Sequence, residues 1–554
     1  MTHPLFDKHE ATLERALQAI AERGYWSPYP ESASPKVYGE GAAEAGRAAF
    51  EALRGKPFEL DQAGTVGRTG RERSPYGFDL GIDYPKADLD ALFAGIAQAH
   101  ARWRKAGPQA WVGVCLEILE RINKSSFLVA NAVMHTTGQA FLMAFQAGGP
   151  HAQDRGLEAV AYAWDEMRRI PEGALWEKPA GKGEPIRMEK RFRIVPRGVG
   201  LVIGCCTFPT WNGYPGLFAS LATGNAVVVK PHPGAILPLA ISVRIAREVL
   251  REAGFDPDVV TLVAHEPGDD VARALAMRPE VRLIDFTGST ANGTWLEQHA
   301  KHAQVFTEKA GVNQIVVDSA DDLGAVARNV AFSLSLYTGQ MCTAPQNIYV
   351  PAGGIRTPSG TVPFAEVAAA LADGVGKLLA DPARAVEVLG AVQNEGVARR
   401  IDAARALGTV VLDSRAIAHP SFPGATIRTP LIVKLDAADR DKYLAEWFGP
   451  IAFVIATRDT AESLAIARAA AKEHGALTLS LYATDPRVVD EAIDVAEDAG
   501  VALSINLTAG VFVNQSAAFS DFHGTGANPA ANAALTDAAY VAGRFRVVQH
   551  RKHL

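Results

Sequence analysis

The sequence is poor in cysteine, has no excess of basic residues and contains no long apolar run. Four cysteines among 554 residues cannot form a disulfide framework, so we expect a cytoplasmic protein in a reducing compartment. The net charge of −6 argues against a nucleic-acid-binding protein, which would carry a basic face. Without a membrane-spanning run or the basic and apolar regions of a signal peptide, the sequence predicts no membrane association.

The chain is built instead from alternating strand and helix patterns. Hydrophobic residues make up 48% of it and charged residues 21%, which is typical of a globular protein with a large core and several domains. Short apolar runs at residues 200–203, 226–230, 259–263 and 281–286 are separated by helical patterns. This arrangement predicts a parallel sheet of the dinucleotide-binding kind. The alternation resumes from residue 321 to residue 483.

Two further segments have patterns of their own. Residues 86–169 have helical periodicity, and residues 127–145 within them are predicted to form one very apolar helix. That helix contains His135, which we interpret as a packed core histidine. Apolar and charged residues alternate from Ile186 to Val195, which predicts a long two-faced strand able to pair with another subunit.

Small residues follow the fourth predicted strand, in the run Thr287-Gly-Ser-Thr-Ala-Asn-Gly293. Free backbone N–H groups at the start of a helix suit a pyrophosphate, so Gly288, Ser289 and Gly293 are candidate phosphate contacts. The Gly-x-Gly-x-x-Gly spacing of many dinucleotide-binding loops is absent. The prediction therefore depends on the position of the run between a strand and a helix.

Two residues in the second half of the chain are candidates for catalysis. Cys342 stands between an apolar helix-like run and a predicted strand, where substrate can reach the sulfur while packed elements hold the backbone. Its thiolate would be a nucleophile, and a buried inert cysteine is the alternative. Glu308 lies among small and apolar residues, and we expect burial to raise the pKa of its carboxyl group and make it a general base. A salt bridge to Lys309 or a helix-end cap is the alternative for Glu308.

Four stretches resemble the aldehyde dehydrogenase superfamily in sequence, order and spacing, over about residues 90–550. They are Thr287-Gly-Ser-Thr, Phe306-Thr-Glu308-Lys-Ala-Gly311, Gly339-Gln-Met-Cys342-Thr-Ala and Glu446-Trp-Phe448-Gly-Pro. The resemblance implies that the Cys342 thiolate attacks an aldehyde, and that the Cys342 backbone N–H and a side-chain donor hold the oxyanion. Hydride then passes to a nicotinamide, and Glu308 activates the water that releases a carboxylic acid from the thioester. We expect no metal ion.

The resemblance also implies an α/β fold with a Rossmann-type cofactor domain, an α/β catalytic domain and a β-strand oligomerisation arm. The expected divisions are an N-terminal extension (1–85), an NAD(P)-binding domain (86–177 and 198–309), a catalytic domain (310–520), and an arm with a C-terminal strand (178–197 and 521–554). A homodimer or a dimer of dimers is the expected assembly.

Matching positions imply a set of cofactor-binding residues. These are Ile203, Cys205, Lys230, His232, Pro233, Gly268, Gly288, Ser289, Gly293, Glu446 and Phe448. Many NAD-using members of the family carry a glutamate where this chain has Pro233. Because no carboxylate repels a 2′-phosphate there, and Lys230 with His232 can pair with it, we expect NADP in preference to NAD. For Cys205 and its neighbour Cys206, packing at the strand end is favoured over a thiolate role.

A second departure concerns the oxyanion. The family usually has an asparagine just before a Phe-Pro pair, and Thr207 occupies that position here. Its hydroxyl can donate a hydrogen bond but is shorter than an asparagine amide, and weak stabilisation would slow the reaction about 10²–10³-fold. Asn212 is the alternative donor if the register shifts, although we interpret it as a residue of the helix surface.

The long N-terminal segment and the run Cys205-Cys-Thr-Phe-Pro-Thr-Trp-Asn-Gly-Tyr-Pro215 look most like the phenylacetic acid degradation (PaaN-type) branch. That likeness implies a ring-opened, CoA-linked semialdehyde as the substrate. Phe208, Met143 and Tyr337 are candidate residues of an apolar substrate tunnel, with core packing as the alternative for Met143.

Three other functions stay open at this point. A CoA-acylating aldehyde dehydrogenase resolves the thioester with a thiol, but that branch typically lacks the base that Glu308 supplies. A non-catalytic binding or structural protein is suggested by Thr207. A cysteine hydrolase needs a histidine and an asparagine or aspartate beside Cys342, and the fourteen histidines show no sequence pattern for that.

Overall fold

This computed structural model describes residues 3–309 and 311–554. Met1 and Thr2 lie outside the described residues, as does Ala310, which belongs to the expected base segment. The N-terminal extension begins with a helix whose inner face buries Leu13 and Ala16. Its elements are α1 (Pro4–Glu22), α2 (Pro35–Tyr38), α3 (Ala42–Leu53), β1 (Thr65–Thr69), β2 (Arg73–Ser74), β3 (Phe78–Asp79) and β4 (Tyr84–Ala87).

The extension is tied to both halves of the protein. The buried carboxylate of Glu72 accepts a hydrogen bond of 3.0 Å from the backbone N–H of Leu237, at the start of a helix in the first half, where an anion is favoured. Tyr76 packs on Phe422 of the second half, with ring centroids 4.8 Å apart. These contacts give residues 3–87 a bridging position that no sequence pattern predicts.

Five helices follow the extension. They are α4 (Leu89–Trp103), α5 (Pro108–Lys124), α6 (Ser126–Thr137), α7 (Phe141–Gly148) and α8 (Pro150–Arg168). The prediction of one helix over residues 127–145 is wrong, because Gly138 adopts φ +86° and ends α6. A Cβ at Gly138 would lie 2.5 Å from the carbonyl oxygen of Ala391, so the turn requires glycine. His135 is buried between the rings of Phe50 and Phe78, as expected of a core histidine.

A three-stranded antiparallel sheet projects from the molecule. It consists of β5 (Gly173–Ala180), β6 (Gly183–Pro196) and the C-terminal strand of residues 545–553, in which β6 is central. The predicted strand from Ile186 to Val195 lies within β6 and is confirmed. Leu175 and Ile186 are exposed on this sheet.

The next elements form one parallel sheet of five strands. They are β7 (Val199–Ile203), α9 (Pro209–Ala222), β8 (Ala226–Lys230), α10 (Leu237–Glu252), β9 (Val260–Leu262), α11 (Val271–Ala276), β10 (Val281–Thr287), α12 (Thr290–His299) and β11 (Gln304–Glu308). The strand order is β11-β10-β7-β8-β9, and all four pairings are parallel. The predicted parallel sheet is confirmed. The order reverses at β7, and such a switch point opens a crevice at the carboxyl ends of the strands.

A seven-stranded sheet forms the second half, with the order β16-β19-β20-β13-β12-β21-β22 and one antiparallel pairing, β16 with β19. The elements are β12 (Gln314–Val317), α13 (Leu323–Ser335), β13 (Asn347–Pro351), β14 (Ile355–Thr357), β15 (Gly360–Val362), α14 (Phe364–Leu378), α15 (Pro382–Leu389), α16 (Glu395–Arg405), β16 (Thr409–Leu412), β17 (Ala416–Ile417), β18 (Ile427–Arg428), β19 (Leu431–Asp436), α17 (Arg440–Tyr443), β20 (Ile451–Thr457), α18 (Thr460–His474), β21 (Thr478–Tyr482), α19 (Pro486–Ala499) and β22 (Ala502–Ile505). Separate apolar clusters cover its two faces. The chain then returns to the first half with α20 (Ala538–Ala542), which contacts α8 and α9, and with β23 (Phe545–His553), the C-terminal strand of the three-stranded sheet. Among the described residues, no helix combines the length and apolarity needed to cross a membrane.

Candidate active site

A cleft of about 610 Å³ opens between the two halves, at the carboxyl ends of the five-stranded sheet. The strand ends of β7, β8, β10 and β11 line one side of it, and Cys342, Glu446 and Phe448 of the second half line the other. The volume is typical of a small-molecule or cofactor site. The two halves therefore meet where the fold predicts a ligand.

The backbone on both sides of Cys342 is held firmly. A short 3₁₀ turn, Leu336–Gly339, precedes it, and Gly339 has φ +59°. A Cβ on Gly339 would lie 2.5 Å from the carbonyl oxygen of Gly449, so a side chain there would displace the loop. Asn313 donates a hydrogen bond of 2.7 Å to the carbonyl oxygen of Cys342. These contacts direct the sulfur into the cleft.

Glu308 ends β11 and turns its carboxylate toward Cys342. Oε2 accepts a hydrogen bond of 3.1 Å from Nδ2 of Asn212. Oε1 lies 3.2 Å from Nε2 of His523, at an ion-pair distance but without hydrogen-bond alignment. Oε1 accepts no hydrogen bond from any residue in the described part of the chain, and it is free to accept one from a water molecule. Lys309 pairs with Glu297 over 3.0 Å, so the alternative of a Glu308–Lys309 salt bridge is wrong.

The expected direction of the Glu308 shift is also wrong. Burial alone raises the pKa of this carboxyl group, but the attraction of the neighbouring His523 imidazole outweighs burial and holds the pKa below its usual value. The opposite holds for the thiol, because burial and then the Glu308 carboxylate raise the pKa of Cys342 well above its usual value. At neutral pH the pair is therefore a carboxylate beside a thiol.

His523 is the site residue that sequence reasoning missed. It lies in a Gly-, Asn- and Ala-rich loop, 181 residues after Cys342, and its Nε2 is 3.8 Å from Sγ of Cys342. Its side chain is 4% exposed and its ring meets Trp211 edge to face, 4.6 Å between centroids. The donor and acceptor atoms of Glu308, Cys342 and His523 lie within 4.8 Å of one another. In the sequence, the position of this loop before the C-terminal strand is the one signal that the loop returns to Cys342.

Thr207 and Asn212 lie on the same side of the cleft. Thr207 precedes α9 and lines the cleft, and its carbonyl oxygen accepts a hydrogen bond of 2.8 Å from Gln139. The interpretation of Asn212 as a helix-surface residue is wrong, since it is 8% exposed. Helix α9 packs between the sheet and α8, and this burial turns the Asn212 amide toward Glu308 and Cys205.

Nine of the eleven residues expected to bind the cofactor line this cleft. They are Ile203, Cys205, Lys230, His232, Pro233, Gly288, Ser289, Glu446 and Phe448. Gly268 and Gly293 are not among its lining residues. Gly268 is a turn residue with φ +96°, and a Cβ at Gly293 would overlap the stem of Lys309 at 2.5 Å. Gly293 therefore allows α12 to approach β11 rather than facing a ligand.

Lys230 fits an anionic ligand. Its side chain is nearly buried in the cleft, and burial lowers the pKa of its ammonium group to about 8. No carboxylate within the described residues forms an ion pair with it. The neighbouring His232 accepts a hydrogen bond at Nδ1 from the Gly234 N–H, 3.1 Å, which leaves Nε2 facing away from the turn. A buried ammonium without a counter-charge is the environment a bound phosphate would complete.

The far wall of the cleft comes from the second half. Burial raises the pKa of the Glu446 carboxyl group to about 7, although Arg400 opposes the shift. Nε of Arg400 donates a hydrogen bond of 2.7 Å to the carbonyl oxygen of Phe448. Arg400 therefore interacts with both residues of this wall, through its charge with Glu446 and through the hydrogen bond with Phe448.

The expected substrate tunnel is only partly found in this cleft. Phe208 lines it, whereas Tyr337 is fully buried behind the Phe208 ring, 5.6 Å between centroids. Met143 is half-buried on α7 and is not among the lining residues. Tyr337 and Met143 are therefore packing residues at this cleft, because α7 and the turn before Cys342 lie behind its wall.

The two neighbouring cysteines are not thiolates at neutral pH. Burial raises the pKa of Cys205 to about 11 and raises that of Cys206 further. Nε2 of Gln393 lies 2.6 Å from Sγ of Cys206. These surroundings support the interpretation of both as packed residues of the strand end.

Comparison with known proteins gives a consistent family. Residues 83–528 match the sequence model of the Aldehyde dehydrogenase family. A crystal structure of an NAD-dependent aldehyde dehydrogenase from Burkholderia multivorans is 68% identical, covers 100% of both chains and has a TM-score of 0.99. An N-succinylglutamate 5-semialdehyde dehydrogenase from Burkholderia cenocepacia is 28% identical over 73% of this chain and 78% of its own length. An aldehyde dehydrogenase named LUC3 from Fusarium is 26% identical over 52% of this chain, and the match spans 58% of that protein.

Proposed function

This chain belongs to the aldehyde dehydrogenase family, and we propose that it oxidises an aldehyde to a carboxylic acid with NAD or NADP as the hydride acceptor. The observation that carries the proposal is that Cys342, Glu308 and Lys230 all line one cleft at the ends of the strands. A nucleophile, a base and an anion site then lie around a single space where substrate and cofactor can meet.

The residues have distinct tasks in this reaction. Sγ of Cys342 attacks the carbonyl carbon, and the Cys342 N–H with the Thr207 hydroxyl holds the oxyanion. A nicotinamide cofactor held by the residues at the strand ends would supply the acceptor for the hydride of the substrate carbon. Oε1 of Glu308, which has no competing hydrogen bond among the described residues, takes a proton from the water that hydrolyses the thioester. Asn212 holds the other carboxylate oxygen and so orients Glu308.

We expect both nicotinamide cofactors to be accepted. Position 233 lacks a carboxylate that would repel a 2′-phosphate, and the Lys230 ammonium has no counter-charge in the described residues, which supports NADP. The Burkholderia multivorans protein, 68% identical, is described as NAD-dependent, which supports NAD. Lys230 serves either cofactor, since each carries a pyrophosphate and a ribose.

For the substrate we retain a ring-opened, CoA-linked semialdehyde of the phenylacetic acid degradation (PaaN-type) branch. The support is the likeness of the run from Cys205 to Pro215 and the long N-terminal segment. Hydrolysis rather than acyl transfer to CoA is supported by Glu308, because a thiol acceptor needs no base for water. A purely structural role is disfavoured by the cleft, which assembles a nucleophile and a base.

A homodimer, or a dimer of dimers, is proposed through the sheet of β5, β6 and β23. Its exposed Leu175 and Ile186 support this assembly, as does the unpaired edge that β5 has among the described strands. Light scattering of the protein and of a Leu175→Glu variant measures it, and an unchanged mass in the variant counts against this surface. The four free cysteines are compatible with a reducing, cytoplasmic setting.

One observation favours a second activity. A cysteine hydrolase needs a histidine beside the nucleophile, and Nε2 of His523 lies 3.8 Å from Sγ of Cys342 and 3.2 Å from Oε1 of Glu308. Ester or thioester hydrolysis without a nicotinamide is therefore the alternative function. Turnover of a p-nitrophenyl ester in the absence of cofactor measures it.

The deciding experiment follows reduced-nicotinamide formation with NADP and then NAD, across a medium-chain aldehyde, a semialdehyde and its CoA thioester. Mass spectrometry identifies the product as the acid, or as an acyl-CoA when free CoA is added. We expect turnover in the wild type and none in Cys342→Ala. Ester hydrolysis with no reduced nicotinamide for any aldehyde would replace the dehydrogenase with the hydrolase.

A further inference from the structure

We propose that His523 is a catalytic residue: its imidazole takes the thiol proton of Cys342 as the sulfur attacks, and Glu308 stabilises the imidazolium that forms. The inference deepens the proposed function and rests on it for the identity of the natural electrophile. His523 lies outside all four stretches of the sequence that resemble the aldehyde dehydrogenase family.

The position of one nitrogen carries the argument. Nε2 of His523 lies 3.8 Å from Sγ of Cys342 and 3.2 Å from Oε1 of Glu308. Because the same nitrogen faces both the thiol and the carboxylate, a proton that Nε2 takes from Sγ is paired at once with the Glu308 carboxylate. The sulfur distance is at the long end for a hydrogen bond, which is common before a substrate draws the groups together.

The imidazole is held in this position from two directions. The backbone of His523 pairs with that of Leu535, by a hydrogen bond of 3.2 Å to the Leu535 carbonyl and one of 2.9 Å from the Leu535 N–H. The Trp211 ring meets the imidazole edge to face at 4.6 Å. A buried ring fixed by backbone and side chain is preorganised for proton transfer.

The surroundings explain why a base is needed. Burial and the Glu308 carboxylate keep Cys342 protonated at neutral pH, and a thiol is a poor nucleophile. The titratable and charged groups around the cluster of His523, Cys342 and Glu308 are Cys205, Glu446, Arg155 and Asp521. Of these the only cation, Arg155, is ion-paired with Glu158 at 2.8 Å. The proposed function gives Glu308 to the water that hydrolyses the thioester, so His523 is the remaining group beside Sγ that can accept the thiol proton.

The proton balance closes over the cycle. His523 takes the proton from Sγ while the sulfur forms the C–S bond and the carbonyl electron pair moves to oxygen. The proposed oxidation removes hydride from that carbon and leaves a thioester. Water then adds its oxygen to the thioester and gives a proton to Glu308. The C–S bond breaks, His523 returns its proton to the sulfur, and Glu308 releases the other proton to solvent.

The test measures alkylation of Cys342 by iodoacetamide as a function of pH, with no aldehyde and no cofactor. In the wild type the reaction should already be rapid at neutral pH, because the imidazole removes the thiol proton. In His523→Gln the rate should fall about 10²-fold at neutral pH and should rise only at alkaline pH, because burial and Glu308 raise the pKa of the Cys342 thiol. His474→Gln, at an exposed position, is the matched control and should behave as the wild type.

Two outcomes would overturn the role of His523. One is a His523→Gln profile identical to that of the wild type. The other outcome needs no variant, and it is a wild-type alkylation rate that rises only at the alkaline pH where a free thiol ionises. Because alkylation needs neither substrate nor nicotinamide, a negative result here is separate from a failure to oxidise aldehydes. A wild-type alkylation profile as expected, with no aldehyde oxidation, would leave His523 as the base of the alternative hydrolase.

Discussion

Asn212 and Glu308 lie 96 residues apart in the sequence, yet Nδ2 of Asn212 donates a hydrogen bond of 3.1 Å to Oε2 of Glu308. The contact joins the first turn of α9 to the end of β11, beneath the sulfur of Cys342. It leaves Oε1 as the carboxylate oxygen that can accept a proton from water. The orientation of the proposed base therefore depends on an amide that the sequence placed on a helix surface.

Removing that amide should slow thioester hydrolysis more than thioester formation. We expect Asn212→Ala to lower steady-state turnover about tenfold, since one charge-assisted hydrogen bond to the base is lost. Rapid mixing should then reveal a burst of reduced nicotinamide. In Asn212→Asp a second carboxylate would raise the pKa of Glu308, so its activity should fall at a higher pH than that of the wild type as the solution is acidified. Equal loss of burst and steady state would contradict the orienting role.

Glu308→Gln should stop the reaction at the thioester. A glutamine cannot accept the proton of water, so we expect steady-state turnover to fall about 10²–10³-fold while the first turnover persists. Mass spectrometry of the quenched protein should find an acyl group on Cys342. The exposed Glu473→Gln variant is the control and should turn over normally. Unchanged turnover in Glu308→Gln would remove the base assignment.

Cys342 should differ sharply from its two neighbours in the cleft. Cys342→Ala is expected to abolish turnover while still binding cofactor, because it removes the nucleophile. Cys205→Ala and Cys206→Ala should each keep most of the activity, since burial raises the pKa values of both thiols above neutral pH. Reduced-nicotinamide formation by the three variants compares them directly. Loss of activity in Cys206→Ala with retention in Cys342→Ala would reverse the assignment.

Cofactor affinity should weaken as the pH rises above the pKa of Lys230. Burial lowers that pKa to about 8 in the free protein, and a bound phosphate would raise it again. The affinity for the cofactor should therefore be full below pH 8 and should decline above it, until the pH passes the raised pKa that Lys230 has in the complex. The dissociation constant of NADP can be measured at each pH by quenching of tryptophan fluorescence, because Trp295 lines the cleft.

A matched pair of variants isolates the Lys230 effect. Lys230→Met should weaken NADP binding and abolish the dependence above pH 8, since the titrating charge is gone. Lys301→Met, at an exposed turn after α12, should change neither the affinity for NADP nor its dependence on pH. A pH dependence that survives in Lys230→Met would assign it to another group.

The sequence by itself determined the architecture and identified Glu308 and Cys342 as the candidate reacting groups. Strand and helix periods are local properties, so the parallel sheet, the strand within β6 and the junctions that carry Glu308 and Cys342 followed from neighbouring residues. Most of the residues expected to bind a cofactor lie in one cleft for the same reason, since consecutive parallel strands end at the same edge. The roles of Glu308 and Cys342 stay predictions.

Only the tertiary structure decided the electrostatics and the remaining neighbours of those groups. His523 reaches Cys342 through a loop that no periodicity constrains, and its nearness reverses the pKa shift that burial alone gives Glu308. Asn212 is buried because α8 covers α9, and Gly293 faces Lys309 because α12 lies close on β11. Contact and pKa depend on groups that are distant in the chain, and their fields combine only after folding brings them together.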